Sequence, residues 1–260
     1  MRPHQTMLHL QPPLTDLEFT VNFKRKNYPL IGQKETDLKT ENAPQRLNKN
    51  QFLEKYKAVI LDWAKANQSR LIEARKNYSW NDKEPQACLA ERDEIRKSIA
   101  FSRSQNSGGI DLVTLDLIMS WGGFSKFPLR DNQKVLDLTR KVFNLVDEGK
   151  VSEAVDELLA IDGVDISHAS KIIGLFDQDR FCIYNSMVGN ALKTLQFEEK
   201  PVLKCPVGPK KPEDICSDER WGENYQRLIW TLEVIRDYLN SEGCPFSIAD
   251  IEMALYMMGK

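Results

Sequence analysis

Apolar side chains recur every three or four positions along most of this chain, the period of a helix with one buried face. Between 52 and 78, Leu53, Tyr56, Ile60, Trp63 and Ala64 fall on one such face. The same period predicts helices over 86–103, 111–121, 132–148, 218–239 and 247–258. Strict alternation occurs over 17–23, which predicts one short strand. The stretch 27–50 is polar and charged and predicts irregular chain, and 200–218, with four prolines, predicts a long loop. The fold class expected is therefore all-α, with an extended N-terminal segment over 1–50 and a helical domain over 51–260.

The stretch 161–192 carries the most information. Before it, Val155, Leu158, Leu159 and Ile161 lie on one face of a helix that Ser152 would cap. Gly163 then permits a sharp reversal, and a second helix opens at Ser167 or in the turn before it. Its buried stripe is Ile166, Ala169, Ile172, Ile173 and Leu175, and it ends over 177–179. A turn of this kind aims free backbone N–H groups at one point, and the helix dipole adds partial positive charge there. That is the composition of a phosphate site built from backbone.

This segment resembles the helix-hairpin-helix of the DNA glycosylase superfamily that includes endonuclease III and 8-oxoguanine DNA glycosylase. Ile161, Gly163 and Val164 match the apolar-x-Gly-Val core of that hairpin, whereas Asp162 and Asp165 replace its usual proline and second glycine. Ser167 falls where bifunctional members carry lysine, and Asn185 falls where the family has a catalytic aspartate near the start of the next helix. The resemblance implies a two-lobed helical architecture with a cleft between lobes, double-stranded DNA as partner, and excision of a base flipped out of the stack. Gly163, Val164, Asp165, Ile166 and His168 would then form the DNA anchor, and Lys126 and Arg130 would add phosphate contacts.

Both departures at the chemical positions bear on activity. A lysine at 167 would attack the sugar and form a Schiff base, and serine has no amine to do so. Serine there matches a monofunctional pattern, in which water cleaves the N-glycosidic bond and leaves an abasic site. A carboxylate at 185 would stabilise the oxocarbenium-like sugar, and Asn185 is neutral. A unit charge at about 4 Å in an effective dielectric of about 20 is worth roughly 4 kcal/mol, close to a thousandfold in rate. Three readings of Asn185 stay open: an inactivating substitution in an enzyme, a descendant that only binds DNA, and a simple cap on the helix that follows. Lys171, four residues past Ser167 and on the same face, is a third catalytic candidate, against the plainer reading of a solvated or phosphate-contacting lysine.

Trp121, Phe124 and Phe127 flank two glycines and Lys126, a composition suited to a wedge or the wall of a base pocket, and Tyr184 would line the same pocket. The plainer reading buries Trp121 and Phe127 at a helix terminus. The net charge of −2 is weak advertisement for a DNA-binding protein. Nine basic residues against six acids between Arg92 and Lys141 soften that objection. Five cysteines without a close pair predict neither a disulfide framework nor a metal or iron-sulfur site. No cofactor is expected, with a monovalent cation at the hairpin as the one ion the turn would admit. The absence of a long apolar run predicts a protein outside the membrane, cytoplasmic and DNA-associated, and a monomer is expected.

Overall fold

The chain folds as an all-α protein, and the computed structural model describes residues 47–124, 126–206 and 220–260. The strand expected over 17–23 and most of the irregular segment lie outside these residues. Contacts divide the chain into Met1–Pro44 and Gln45–Lys260, and the elements described below belong to the second unit.

Its order is α1 (Lys49–Lys76), α2 (Pro85–Gln105), α3 (Leu112–Trp121), α4 (Asn132–Asp147), α5 (Val151–Leu159), α6 (Ile166–Phe176), α7 (Ser186–Leu192), a short β1 (Gln196–Phe197) and β2 (Lys200–Pro201), then α8 (Trp221–Ser241) and α9 (Ile248–Gly259). The starts follow from short polar side chains. Asn48, Asp111, Asp131, Asp165, Asn185 and Ser247 each accept a first-turn N–H. Asn48 pulls the first helix back to Lys49, so residues read as the end of the irregular segment form its opening turn. β1 and β2 pair antiparallel through a turn in which Glu198 and Glu199 both have positive φ.

The main core cluster runs from Phe52 on α1 to Leu255 on α9, and a smaller one joins Tyr78, Cys88, Ala249 and Met253. Helix α1 packs on α8 and α9, α7 lies against α9, and α6 is held between α2, α3 and α5. That sandwiching explains why α6 is buried on nearly every side, with Ala169 through Leu175 all inaccessible. Past the first turn the polar residues Ser170 and Lys171 are therefore held away from water. Among the described residues no helix is long and apolar enough to cross a membrane.

Candidate functional site

The hairpin joins α5 to α6. Helix α5 starts at Val151 with Lys150 as its N-cap and no side-chain hydrogen bond there, so Ser152, read as the cap, lies one residue inside the helix. Val155 and Leu158 are buried, which fixes the face that α5 turns to the core. The reversal is closed by Val164 N–H donating to the Ile161 carbonyl at 3.0 Å, with Gly163 at φ +84°. Val164 and Ile166 are buried and anchor the turn, whereas Gly163 is exposed.

Asp165 caps α6 in a capping box whose second member is His168. Its Oδ1 accepts the His168 backbone N–H at 2.9 Å and lies 2.7 Å from His168 Nδ1. The carboxylate is thus folded back on its own helix. The N–H groups of Ile166 and Ser167 are left as first-turn donors, and a negative charge already sits at the helix end where a phosphate would bind.

One turn into α6, Lys171 is only 2 % exposed. Its Nζ donates to Ser167 Oγ at 2.8 Å and lies 4.6 Å from the centre of the Phe124 ring. Among the described residues no carboxylate lies within ion-pair distance of it. Burial pushes its pKa down from 10.5 to about 8, against the more distant charges of Asp165 and Glu252, which raise it. Lys171 is therefore not the solvated lysine of the plainer reading.

The loop after α3 closes over this amine. A methyl group at Gly122 would lie 2.5 Å from Lys171 Cε and 2.6 Å from Cδ, so the lysine stem fills the space a side chain would need. Gly123 has φ +80° and open space around it, and Phe124 stacks on the His168 imidazole with ring centres 3.7 Å apart. Trp121 is half-buried and stacks on Trp80 at 5.2 Å, and Trp80 Nε1 donates to the Trp121 carbonyl at 2.9 Å. The Trp121 indole N–H is buried with no acceptor among the described residues.

Phe127 and Tyr184 are fully buried, so the structure places them in the core rather than at a surface. The Tyr184 hydroxyl donates to the Lys204 carbonyl and accepts from Asn224 Nδ2, so its one proton is already engaged within the protein. Asn185 is half-buried and caps α7, its side chain accepting the Val188 N–H at 3.1 Å. It stands at the end of an extended stretch, 181–184, stitched to α6 by Tyr184 N–H donating to Ser170 Oγ at 2.8 Å. Asn185 thus occupies the helix-start position that the resemblance assigns to a carboxylate, and its amide oxygen is engaged as a cap.

The basic residues between 92 and 141 are mostly spent within the protein. Arg96, Lys97, Arg103, Arg130, Lys134, Arg140 and Lys141 each contact an acid, Arg130 reaching Asp116 at 2.7 Å. Lys126 is the one of the nine without an ion pair among the described residues. It is exposed on the loop whose Pro128 packs beside Gly163, 3.3 Å from where a Cβ would stand. Lys126 and the hairpin therefore share one side of the molecule.

Arg92, counted above among the basic residues of 92–141, is buried and reaches Glu252 at 2.7 Å between α2 and α9, a partner that the sequence did not lead us to expect. Each occupies a position on an otherwise apolar stripe, Arg92 among Cys88, Ile95 and Ile99, Glu252 among Ile248, Ile251 and Leu255. A charge on a buried stripe is a signal for a partner. No protein-family model, curated protein or solved structure matches the chain.

Proposed function

We propose that the chain binds duplex DNA through the hairpin between α5 and α6 and acts on the sugar of an extruded nucleotide, in the manner of a DNA glycosylase. The observation that carries this reading is Lys171. A buried amine with a depressed pKa, hydrogen-bonded to a hydroxyl and with no carboxylate in ion-pair range among the described residues, lowers stability and is a feature of reactive sites. It sits one helical turn after the backbone donors of the hairpin, so an anchored phosphate and a reactive amine would belong to one ligand. The expectation of a monofunctional enzyme rests on Ser167 having no amine, and Lys171 supplies one 2.8 Å from that hydroxyl. Ser167 accordingly positions the amine, and Asn185 stands where a charge is needed to expel a base.

Two variants test this reading. Gly163→Val opposes the positive φ of the turn and meets Pro128, and is expected to weaken binding to every duplex alike, because phosphate contacts carry no sequence information. Asn185→Asp supplies the missing charge and is expected to release free base from one member of a panel of duplexes, each carrying a single damaged or modified base. Released base is measured directly by mass spectrometry, so the result does not depend on whether the strand is later cut. Unchanged duplex affinity in Gly163→Val would remove the hairpin as anchor. Absence of base release with intact binding would make the chain a DNA-binding protein without excision chemistry.

A further inference from the structure

We propose that the groove between α2 and α3 is a dimer interface, filled by the same groove of a second copy of this chain. Among the described residues three large apolar side chains are exposed, Phe101 at 68 %, Val113 at 79 % and Leu117 at 43 %, and all three line this groove. Scattered singly they would need no explanation, but gathered in one place they form the kind of patch that marks a binding surface. The interface stands whether or not the hairpin holds DNA, and the dimer replaces the monomer expected from the sequence.

The patch follows from the composition of α3. Leu115, Ile118 and Met119 turn inward and are inaccessible, in a helix that packs on α2, α4 and α6. Val113 and Leu117, four residues apart, form a second apolar stripe on the opposite side, and Phe101 of α2 extends it. A helix that is apolar on both sides is normally covered on both sides.

A second copy is the occupant that the charges fit. Two charged side chains line the groove, Lys97 on α2 and Asp111 at the start of α3. They stand apart along it: Asp111 N–H donates to Ser102 Oγ at 3.0 Å where the two helices are joined, and Lys97 lies a further turn and a half back along α2, about 7.5 Å from Ser102. A two-fold axis lying across the groove between them carries each onto the other. In such a dimer Lys97 of each copy meets Asp111 of the other, and the apolar side chains between them come face to face. A partner of one uniform charge would be opposed at one end or the other. Asp111 caps α3 through Oδ1, and its carboxylate has a second oxygen to offer. Lys97 is 58 % exposed and its links to Asp93 and Glu94 run along its own helix, so they hold it only weakly. Three side chains are a small centre beside the roughly 800 Å² that each partner of a stable complex buries, so the dimer is weak and depends on concentration.

Sedimentation equilibrium of the full chain across a wide range of concentration is the test. The mass is expected to rise with concentration from one chain of 30.0 kDa toward two. Phe101→Ser and Val113→Ser are each expected to weaken the association at least about tenfold and to keep the circular dichroism of the parent, since neither side chain belongs to the core. Lys97→Gln and Asp111→Asn, the second chosen because asparagine also caps a helix, are each expected to weaken it severalfold, and the double variant to lose little more than either alone. A single-chain mass at every concentration overturns the dimer and leaves the groove to a different protein or to another part of this chain. Association unchanged in both serine variants places the contact on another surface and overturns the interface. Losses that add in full in the double variant overturn the two-fold pairing of Lys97 with Asp111.

Discussion

Arg92 and Lys171 are both buried cations within the same helical unit, and they are treated in opposite ways. Arg92 reaches Glu252 at 2.7 Å, Gln178 at 3.3 Å and the Tyr78 hydroxyl at 3.4 Å, and its guanidinium stands 5.6 Å from the Trp121 ring centre. Burial alone would push its pKa down, but the Glu252 carboxylate reverses this and holds the guanidinium firmly charged. Lys171 has one hydroxyl, one long contact to the Ser167 carbonyl and the face of Phe124. Burial outweighs the distant charges of Asp165 and Glu252, no carboxylate lies in ion-pair range among the described residues, and its pKa falls. A cation whose donors are met by a carboxylate, an amide and a phenol is part of the framework. A cation that is buried and underpaired lowers stability, which is the physical ground for proposing a chemical role for Lys171.

The largest effect is expected on the paired side. Arg92→Met leaves Glu252 buried at α9 without its cation and is expected to cost about 3 to 5 kcal/mol, read as a lowered denaturant midpoint. Replacing Glu252 by Met in the same chain removes the orphaned charge, and the double variant is expected to recover most of that loss. If Arg92→Met alone cost as little as a surface substitution, the pair would not be the framework element described, and the contrast with Lys171 would fail.

The unpaired side is expected to respond with the opposite sign. Lys171→Met removes a buried charge and is expected to stabilise the protein at pH 7, by up to about 3 kcal/mol, since each unit of pKa shift is worth about 1.4 kcal/mol. The folded pKa of about 8 lies below the unfolded value of 10.5. Below pH 8 both states hold the proton and the parent bears the whole penalty. Between pH 8 and 10.5 the folded state has released its proton while the unfolded state still binds one, so parental stability rises with pH through that window. The advantage of Lys171→Met should therefore shrink steadily from pH 8 and be gone above 10.5. Denaturant unfolding of both proteins across that range is the measurement, and an advantage independent of pH would show that Lys171 is not the titrating group.

The helices were legible because their period and their caps are local. Pattern and short polar side chains mark α3, α4 and α9 to within a residue or two. The β1–β2 hairpin was not legible, since its turn is formed by Glu198 and Glu199 rather than by the glycine or asparagine that usually signals positive φ. The site was half legible. Spacing put Lys171 on the face of Ser167, but its burial depends on Gly122 and Phe124, more than forty residues earlier in the chain. Arg92 and Glu252 are 160 residues apart, and only the fold brings them together. Trp121, Phe124 and Phe127 read alike in sequence, yet one stacks on Trp80, one covers the amine and one is core.

The smallest expected effect is also the one that defines what Ser167 does. Its hydroxyl is the closest polar partner of the Lys171 amine, at 2.8 Å. Ser167→Ala removes one hydrogen bond and no packing of consequence, and is expected to cost about 1 kcal/mol. The protonated lysine loses more from this than the neutral one, because a bond to an ammonium is stronger than a bond to an amine. Its pKa should fall further, and the pH profile of its titration, followed by NMR of the Lys171 side chain, should move its midpoint to below 8. A merely structural serine would lower the unfolding midpoint without moving that profile. If the profile in Ser167→Ala stays with its midpoint near 8 while the stability drops, Ser167 supports α6 and has no part in holding the amine.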